Sequence, residues 1–256
     1  LLQQQEQQKA MVPVSEPDAE SAPLLSQRKL LQAAEQDVKR DFVCKVYGIL
    51  ALQLLLTTFI ATPFQFIAPA HLEAWSWLAS VAAAVVLSCV ITAYCYGEQM
   101  MRNFPQNFLF LGLLTAAMSV TLGFFASTFA WYSVLLSAGL SAIVFLGLTV
   151  FAWSAKSDFT GLGPYLTAAV LVFVAFGSSI FALRLLGIHV PFLTMIYDAA
   201  CLLFFSFYII YDTQLITNDK ERSIGVDDYV FAALCLYTDI INLFVHLLSL
   251  LGKRKH

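Results

Sequence analysis

Residues 103–155 contain no Asp, Glu, Lys or Arg. An α-helix crosses the roughly 30 Å of bilayer hydrocarbon with about 20 residues, so this run is too long for one crossing and suits two. Elsewhere the bias continues: 59% of side chains are hydrophobic, 12% are charged, and the mean hydropathy is +0.76. A water-soluble domain does not have that composition, and the chain reads as a polytopic membrane protein. Seventeen acidic residues against fourteen Lys and Arg give a net charge of −3. With no basic stripe to neutralise phosphates, nucleic acid is excluded as a partner.

The long run divides near Ala126–Ala130 into spans of 108–125 and 131–153. The other apolar runs place spans at 46–67, 75–96, 164–183, 192–211 and 229–251. Trp75, Trp77, Trp131, Tyr132 and Trp153 fall at the ends of spans, where amphipathic rings favour the interface. Every run is apolar all round, without the dyad alternation of a membrane strand. The expectation is an all-α membrane protein, a seven-transmembrane-helix bundle. Small residues within the runs (Ser137, Gly139, Ser141 and Gly147; Gly177, Ser178 and Ser179) predict close helix approach.

Before the bundle, residues 1–45 form an expected cytosolic tail and juxtamembrane segment. Residues 1–26, rich in Gln and interrupted by Pro13, Pro17 and Pro23, read as disordered, and no signal-peptide pattern is present. Residues 46–251 make the membrane domain and 252–256 a short basic tail. Ten Lys and Arg (six in the amino tail, then Arg102, Lys156, Lys220 and Arg222) fall on one side of the seven spans. Only Arg184, Lys253, Arg254 and Lys255 fall on the other. The positive-inside rule therefore puts the amino terminus in the cytosol. The basic carboxyl end argues against its export and leaves open a last helix that inserts without fully crossing. Cysteines 44, 89, 95, 201 and 235 show neither a CxxC pair nor a flanking His, so neither disulfide framework nor metal site is expected, and no cofactor is implied.

Ionisable groups inside spans cost about 2.5–3.5 kcal/mol each on insertion scales, which makes each a functional candidate. Asp198 and Asp212 belong to the sixth span, Asp239 and His246 to the seventh. Asp212 closes its span on the cytosolic side, and Asp239 lies about 15 Å into the next helix, at 1.5 Å per residue from Tyr229. Fourteen residues separate Asp198 from Asp212, so one inward face can hold both. Asp239, Asn242 and His246 follow an i, i+3, i+7 spacing and form one stripe. A polar stripe on the most interrupted helix predicts that the last helix is central. Bland roles compete at each position: a loop partner for Asp212, helix-interface hydrogen bonds for Asp239 and Asn242, packing for His246, and a wet interfacial site for Asp198.

Three motifs carry a resemblance. Arg40-Asp-Phe-Val-Cys-Lys-Val-Tyr-Gly-Ile-Leu-Ala-Leu-Gln-Leu-Leu enters the first span, Tyr211-Asp-Thr-Gln-Leu ends the sixth, and Asp228-Tyr-Val-Phe-Ala-Ala-Leu-Cys-Leu-Tyr-Thr-Asp-Ile-Ile-Asn-Leu-Phe runs through the seventh. In this order, over about residues 35–252, they resemble the transmembrane Bax inhibitor motif family, Lifeguard branch. The resemblance implies a seven-helix bundle with a central last helix, and a calcium leak across an internal membrane, endoplasmic reticulum or Golgi, that restrains cell death. It further implies that Asp212 and Asp239 are a pH-sensing gate and that Arg102, before Asn103-Phe-Pro, is a basic latch for the first carboxylate. Asp198 and His246 depart from the family pattern and stand, with Asn242, as secondary polar positions; Cys44 and Cys235 depart too, standing where related chains often have Arg and Asn.

The leading expectation is thus a pH-sensitive Ca²⁺ or cation leak channel, with Ca²⁺ as permeant ion, the lipid bilayer and other membrane proteins as partners, and no enzyme activity. A scaffold that binds cell-death or calcium-handling proteins without transport is the alternative. An intramembrane aspartyl protease ranks lower, because Asp239 follows Leu236-Tyr-Thr rather than Gly-x-Gly. A proton-coupled transporter ranks lower as well, since the chain has no inverted repeat and no paired broken spans. The topology is testable. Protease added to sealed vesicles that cleaves the amino tail is expected to cleave an epitope at Asp219 as well, and protection of that epitope would require an odd number of spans between them.

Overall fold

The computed structural model describes residues 21–217 and 228–255, without the side chains of 21–26, 69–70 and 94–102. Among the described residues seven helices are long and apolar enough to cross a membrane. They are α1 (Ser21–Ala61), α2 (Ser76–Arg102), α3 (Gln106–Ser127), α4 (Trp131–Ser154), α5 (Gly163–Leu185), α6 (Pro191–Thr217) and α7 (Tyr229–Leu251). Two compact units are distinguished, Leu1–Asp41 and Phe42–His256. In the first, the described residues are all helical, so Ser21–Ser26 do not follow the disorder expected for 1–26, while residues 1–20 lie outside the described residues. The second carries the bundle.

The division of the long uncharged run falls where expected, with Thr128–Ala130 between α3 and α4. Two helices outlast their apolar runs at the carboxyl end. α2 continues to Arg102 and α6 to Thr217, because backbone i→i−4 hydrogen bonding does not stop at the edge of the hydrocarbon. Asp212 consequently lies more than a turn inside α6 instead of closing it. After α5, Gly187 takes φ +77°, and the amides of Gly187 and Ile188 bond to the carbonyls of Arg184 and Leu183. That left-handed cap suits a residue without Cβ.

The last helix is central. Two-thirds of the apolar window of α7 (67%) is buried, against 44% for α3 and less for the others. It packs on α6, α4 and α3, while α5 lies against α6 and α2 against α3. Phe42, Val46 and Leu50 of α1 complete the core around Ala232, Ala233, Leu236 and Leu243. Lipid tails are as apolar as Leu, so expulsion from water does not hold these helices together; close van der Waals contact and interhelical hydrogen bonds do. The wholly buried Ala232 and Ala233 permit that contact on α7. A polar chain joins three helices: Gln53 Nε2 donates to Thr115 Oγ1 (3.0 Å), Ser119 Oγ donates to Thr57 Oγ1 (3.1 Å), and Thr57 Oγ1 meets the Tyr237 hydroxyl at 2.9 Å.

Close approach was expected at several small residues and is found at some of them. Ser137 and Ser141 are buried, and a Cβ on Gly177 would stand 2.6 Å from the Tyr197 hydroxyl of α6. Gly139 and Gly147 have nothing within 4 Å of that position. The sign of a substitution should therefore differ between sites. Gly139→Ala gains helix propensity and is expected to raise the melting temperature in detergent, whereas Gly177→Ala is expected to lower it by crowding a packed contact, at about 1–3 kcal/mol.

Candidate functional site

The seam between α6 and α7 holds every ionisable side chain the sequence singled out on those helices. Asp212 and Asp239, each 5% exposed, reach across it to within hydrogen-bonding distance of one another. Asp239 Oδ2 is buried with no partner. Tyr208 and Cys235 lie in the electrostatic neighbourhood of both carboxyls. Next to Asp212, the Thr213 hydroxyl gathers with those of Tyr47 and Thr149; all three are buried and none has a well-formed hydrogen bond. Such under-satisfied buried groups mark a place that can accept water or a cation.

The helix register explains the pair. Asp198 and Asp212 share the face of α6 that meets α7, as their spacing predicts, and the stripe on α7 brings Asp239 opposite Asp212 and His246 opposite Asp198. His246 Nδ1 stands 2.9 Å from Asp198 Oδ1, and Ser249 Oγ donates to Asp198 Oδ2. The imidazole stacks on Phe205, with ring planes 18° apart, and meets Tyr197 edge-on. Asp198 is therefore not a wet interfacial carboxylate: it is 6% exposed, and its two oxygens are occupied. Asn242 joins neither layer, because its amide donates to the Thr238 carbonyl of its own helix (2.9 Å). The side chain of Arg102 lies outside the described residues, so the expected latch is not described.

Sequence reasoning missed two residues. Ser249 supplies the third member of the Asp198 cluster, and it sits i+3 from His246, one helical turn on. Gln214, 1% exposed, fastens the α4–α5 connection to the end of α6: its Oε1 accepts from the Phe159 amide (2.8 Å) and its Nε2 donates to the carbonyls of Ser157 (3.0 Å) and Ala152 (3.3 Å). Its place two residues after Asp212 in the Tyr211-Asp-Thr-Gln-Leu motif was the available signal.

With the geometry in place, comparison with known proteins settles the family. Residues 39–256 match the family described as Inhibitor of apoptosis-promoting Bax1. The chain belongs to that family. Among curated relatives of this Bax inhibitor protein, human Protein lifeguard 3 is 32% identical over 223 residues, covering 86% of this chain and 71% of the relative. The mouse protein of that name is 30% identical over the same length. Protein LIFEGUARD 4 of Arabidopsis thaliana is 33% identical over 221 residues, covering 84% of this chain and 85% of its own. Family and seven apolar helices together make this a multi-pass membrane protein of a group described by its opposition to apoptosis. None of these names is that of an enzyme.

The Asp198–His246 contact yields a sharp expectation. Removing one partner of a buried pair leaves the other uncompensated, typically at about 3–5 kcal/mol. His246→Leu is expected to lower stability in detergent strongly, and adding Asp198→Asn should recover part of the loss. A double variant less stable than His246→Leu alone would mean that the two side chains do not support each other.

Proposed function

We propose that this protein is a pH-sensitive leak pathway for cations, Ca²⁺ foremost, in an internal membrane, with its amino terminus in the cytosol, and that the leak is how it restrains cell death. The observation that carries the reading is the Asp212–Asp239 contact between the central helix and its main neighbour, with one carboxylate oxygen left without a partner. Two carboxyls at that distance share a proton rather than hold two charges, and they titrate as one unit. With the proton shared, the pair ties α6 to α7. Without it, like charges repel across the seam and present hard oxygen ligands of the kind Ca²⁺ takes.

The three buried hydroxyls of Tyr47, Thr149 and Thr213 beside Asp212 support a polar route continuing toward the end of the bundle at which α4 and α6 finish. Arg102 is retained in the proposal as the basic partner that competes for Asp212. The protein is proposed not to be an enzyme: the residues before Asp239 are Leu236, Tyr237 and Thr238, of which Tyr237 is tied to Thr57 in the core.

Ca²⁺ flux into liposomes that contain only the purified protein tests the proposal. Wild-type protein is expected to leak Ca²⁺ in a pH-dependent manner, Asp239→Asn to flatten that dependence, and Arg102→Gln to shift its midpoint. Absence of flux would favour a scaffold. A wild-type pH profile in Asp239→Asn, whatever the total flux, would remove the carboxyl pair from the gate.

A further inference from the structure

Away from the carboxyl pair, a cavity of about 520 Å³ lies between α1 and α4 with α7 as its floor. That volume is in the range of small-molecule sites, which run about 300–1,000 Å³. On α4 its lining extends from Trp131 to Leu146, about 22 Å at 1.5 Å per residue, enough to take a chain through the roughly 15 Å of one hydrocarbon leaflet. Ala138 and Ala142 line it and are exposed on the outer face of α4, so it opens sideways to lipid. The interior offers no polar hydrogen. Thr57, Thr58, Thr62 and Ser141 donate to the carbonyls of Gln53, Leu54, Thr58 and Ser137, each one turn back. The lining thus suits a hydrocarbon chain, and not a polar solute.

One end of the cavity is different. Gln65, Phe66 and Trp131 line it there, and Trp131 is 62% exposed at the helix start, an interfacial position. The Lys255 ammonium donates to both the carbonyl and side-chain oxygens of Gln65, each at 3.1 Å, which leaves one of its three hydrogens. This lysine is not on a loose end. The Ala130 amide donates to the Lys253 carbonyl (2.8 Å), the Lys255 amide to the Thr128 carbonyl (2.9 Å), and the Arg254 guanidinium lies over the Phe129 ring. The basic tail is strapped across the α3–α4 turn, at the end of α7 opposite Asp228. α7 runs unbroken to Leu251 and is long enough to cross a membrane, so these cations stand at the end of a full-length span. At this end of the spans the described residues of 62–75, 128–130, 184–190 and 252–255 include four Lys and Arg (Arg184, Lys253, Arg254 and Lys255) and one carboxylate, Glu73.

We infer that this cavity binds one anionic phospholipid, with an acyl chain in the trough between α1 and α4 and its phosphate at Lys255. Charge complementarity selects the headgroup: cations held at the interface beside an alkyl-shaped cavity fit an acidic lipid better than a zwitterionic one. The same lipid accounts for three basic residues on the side that the positive-inside rule leaves poor in charge. Binding does not depend on whether the protein conducts, so this inference stands or falls apart from the leak.

Native mass spectrometry of the full chain, equilibrated in detergent with phosphatidylglycerol or phosphatidylcholine of identical acyl chains, is the test. One phosphatidylglycerol is expected to remain bound at least about tenfold more often than phosphatidylcholine. Lys255→Glu should abolish that preference, and Ala138→Trp or Ala142→Phe, which fill the trough, should remove the adduct. Equal retention of the two lipids by the wild-type protein would overturn the inference as ordinary annular lipid. Displacement of the adduct by inorganic phosphate would overturn it as a phosphate site without a chain. Because the wild-type comparison needs no variant, misfolding of a trough-filling protein leaves the test intact.

Discussion

Burying carboxylates on a helix at the centre of a membrane bundle is the constraint on which the rest of this structure depends. Asp239 on α7 and its neighbour Asp212 on α6 are tolerable in hydrocarbon only if lipid is kept away and a partner is kept near. The first requirement makes α7 the inner helix and wraps the others around it. The second fixes the register of α6 against α7, since a rotation of one residue on either helix moves its carboxyl by about 100° off the seam.

Two polar layers share that seam and differ in kind. Asp198 is satisfied at both oxygens by His246 and Ser249, and the imidazole is packed between Phe205 and Tyr197, so this layer works as a staple. The Asp212–Asp239 layer is left short of partners and stands beside three hydroxyls that are short of them too. The two helices are thus fastened to each other at the Asp198 level and under-satisfied at the Asp212–Asp239 level. Gln214 adds a further fixed point by holding the α4–α5 connection to α6 just beyond Asp212.

The seven spans, their number and their helical nature were legible because length and the lack of charge are one-dimensional properties of a chain. So was the pairing face on α6, which follows from a fourteen-residue interval, and the stripe on α7, which follows from helical periodicity. Asn242 shows where that reading stops: it lies on the stripe, yet its amide bonds to the backbone one turn back, which spacing does not forbid. Ser249 shows the converse, since a serine in an apolar run carries no signal until an opposing carboxylate gives it a partner.

The sequence by itself determined the membrane-spanning class, the number of spans and the identity of the costly side chains, because transfer from water to lipid is a property of local composition. Only the tertiary structure decided which costly groups meet. It joined Asp198 to His246, which the chain separates by the whole α6–α7 connection, strapped the basic carboxyl end across the α3–α4 turn, and left an apolar trough between α1 and α4. Those outcomes depend on how far helices tilt and how closely they approach, and each is set by contacts between residues remote in sequence.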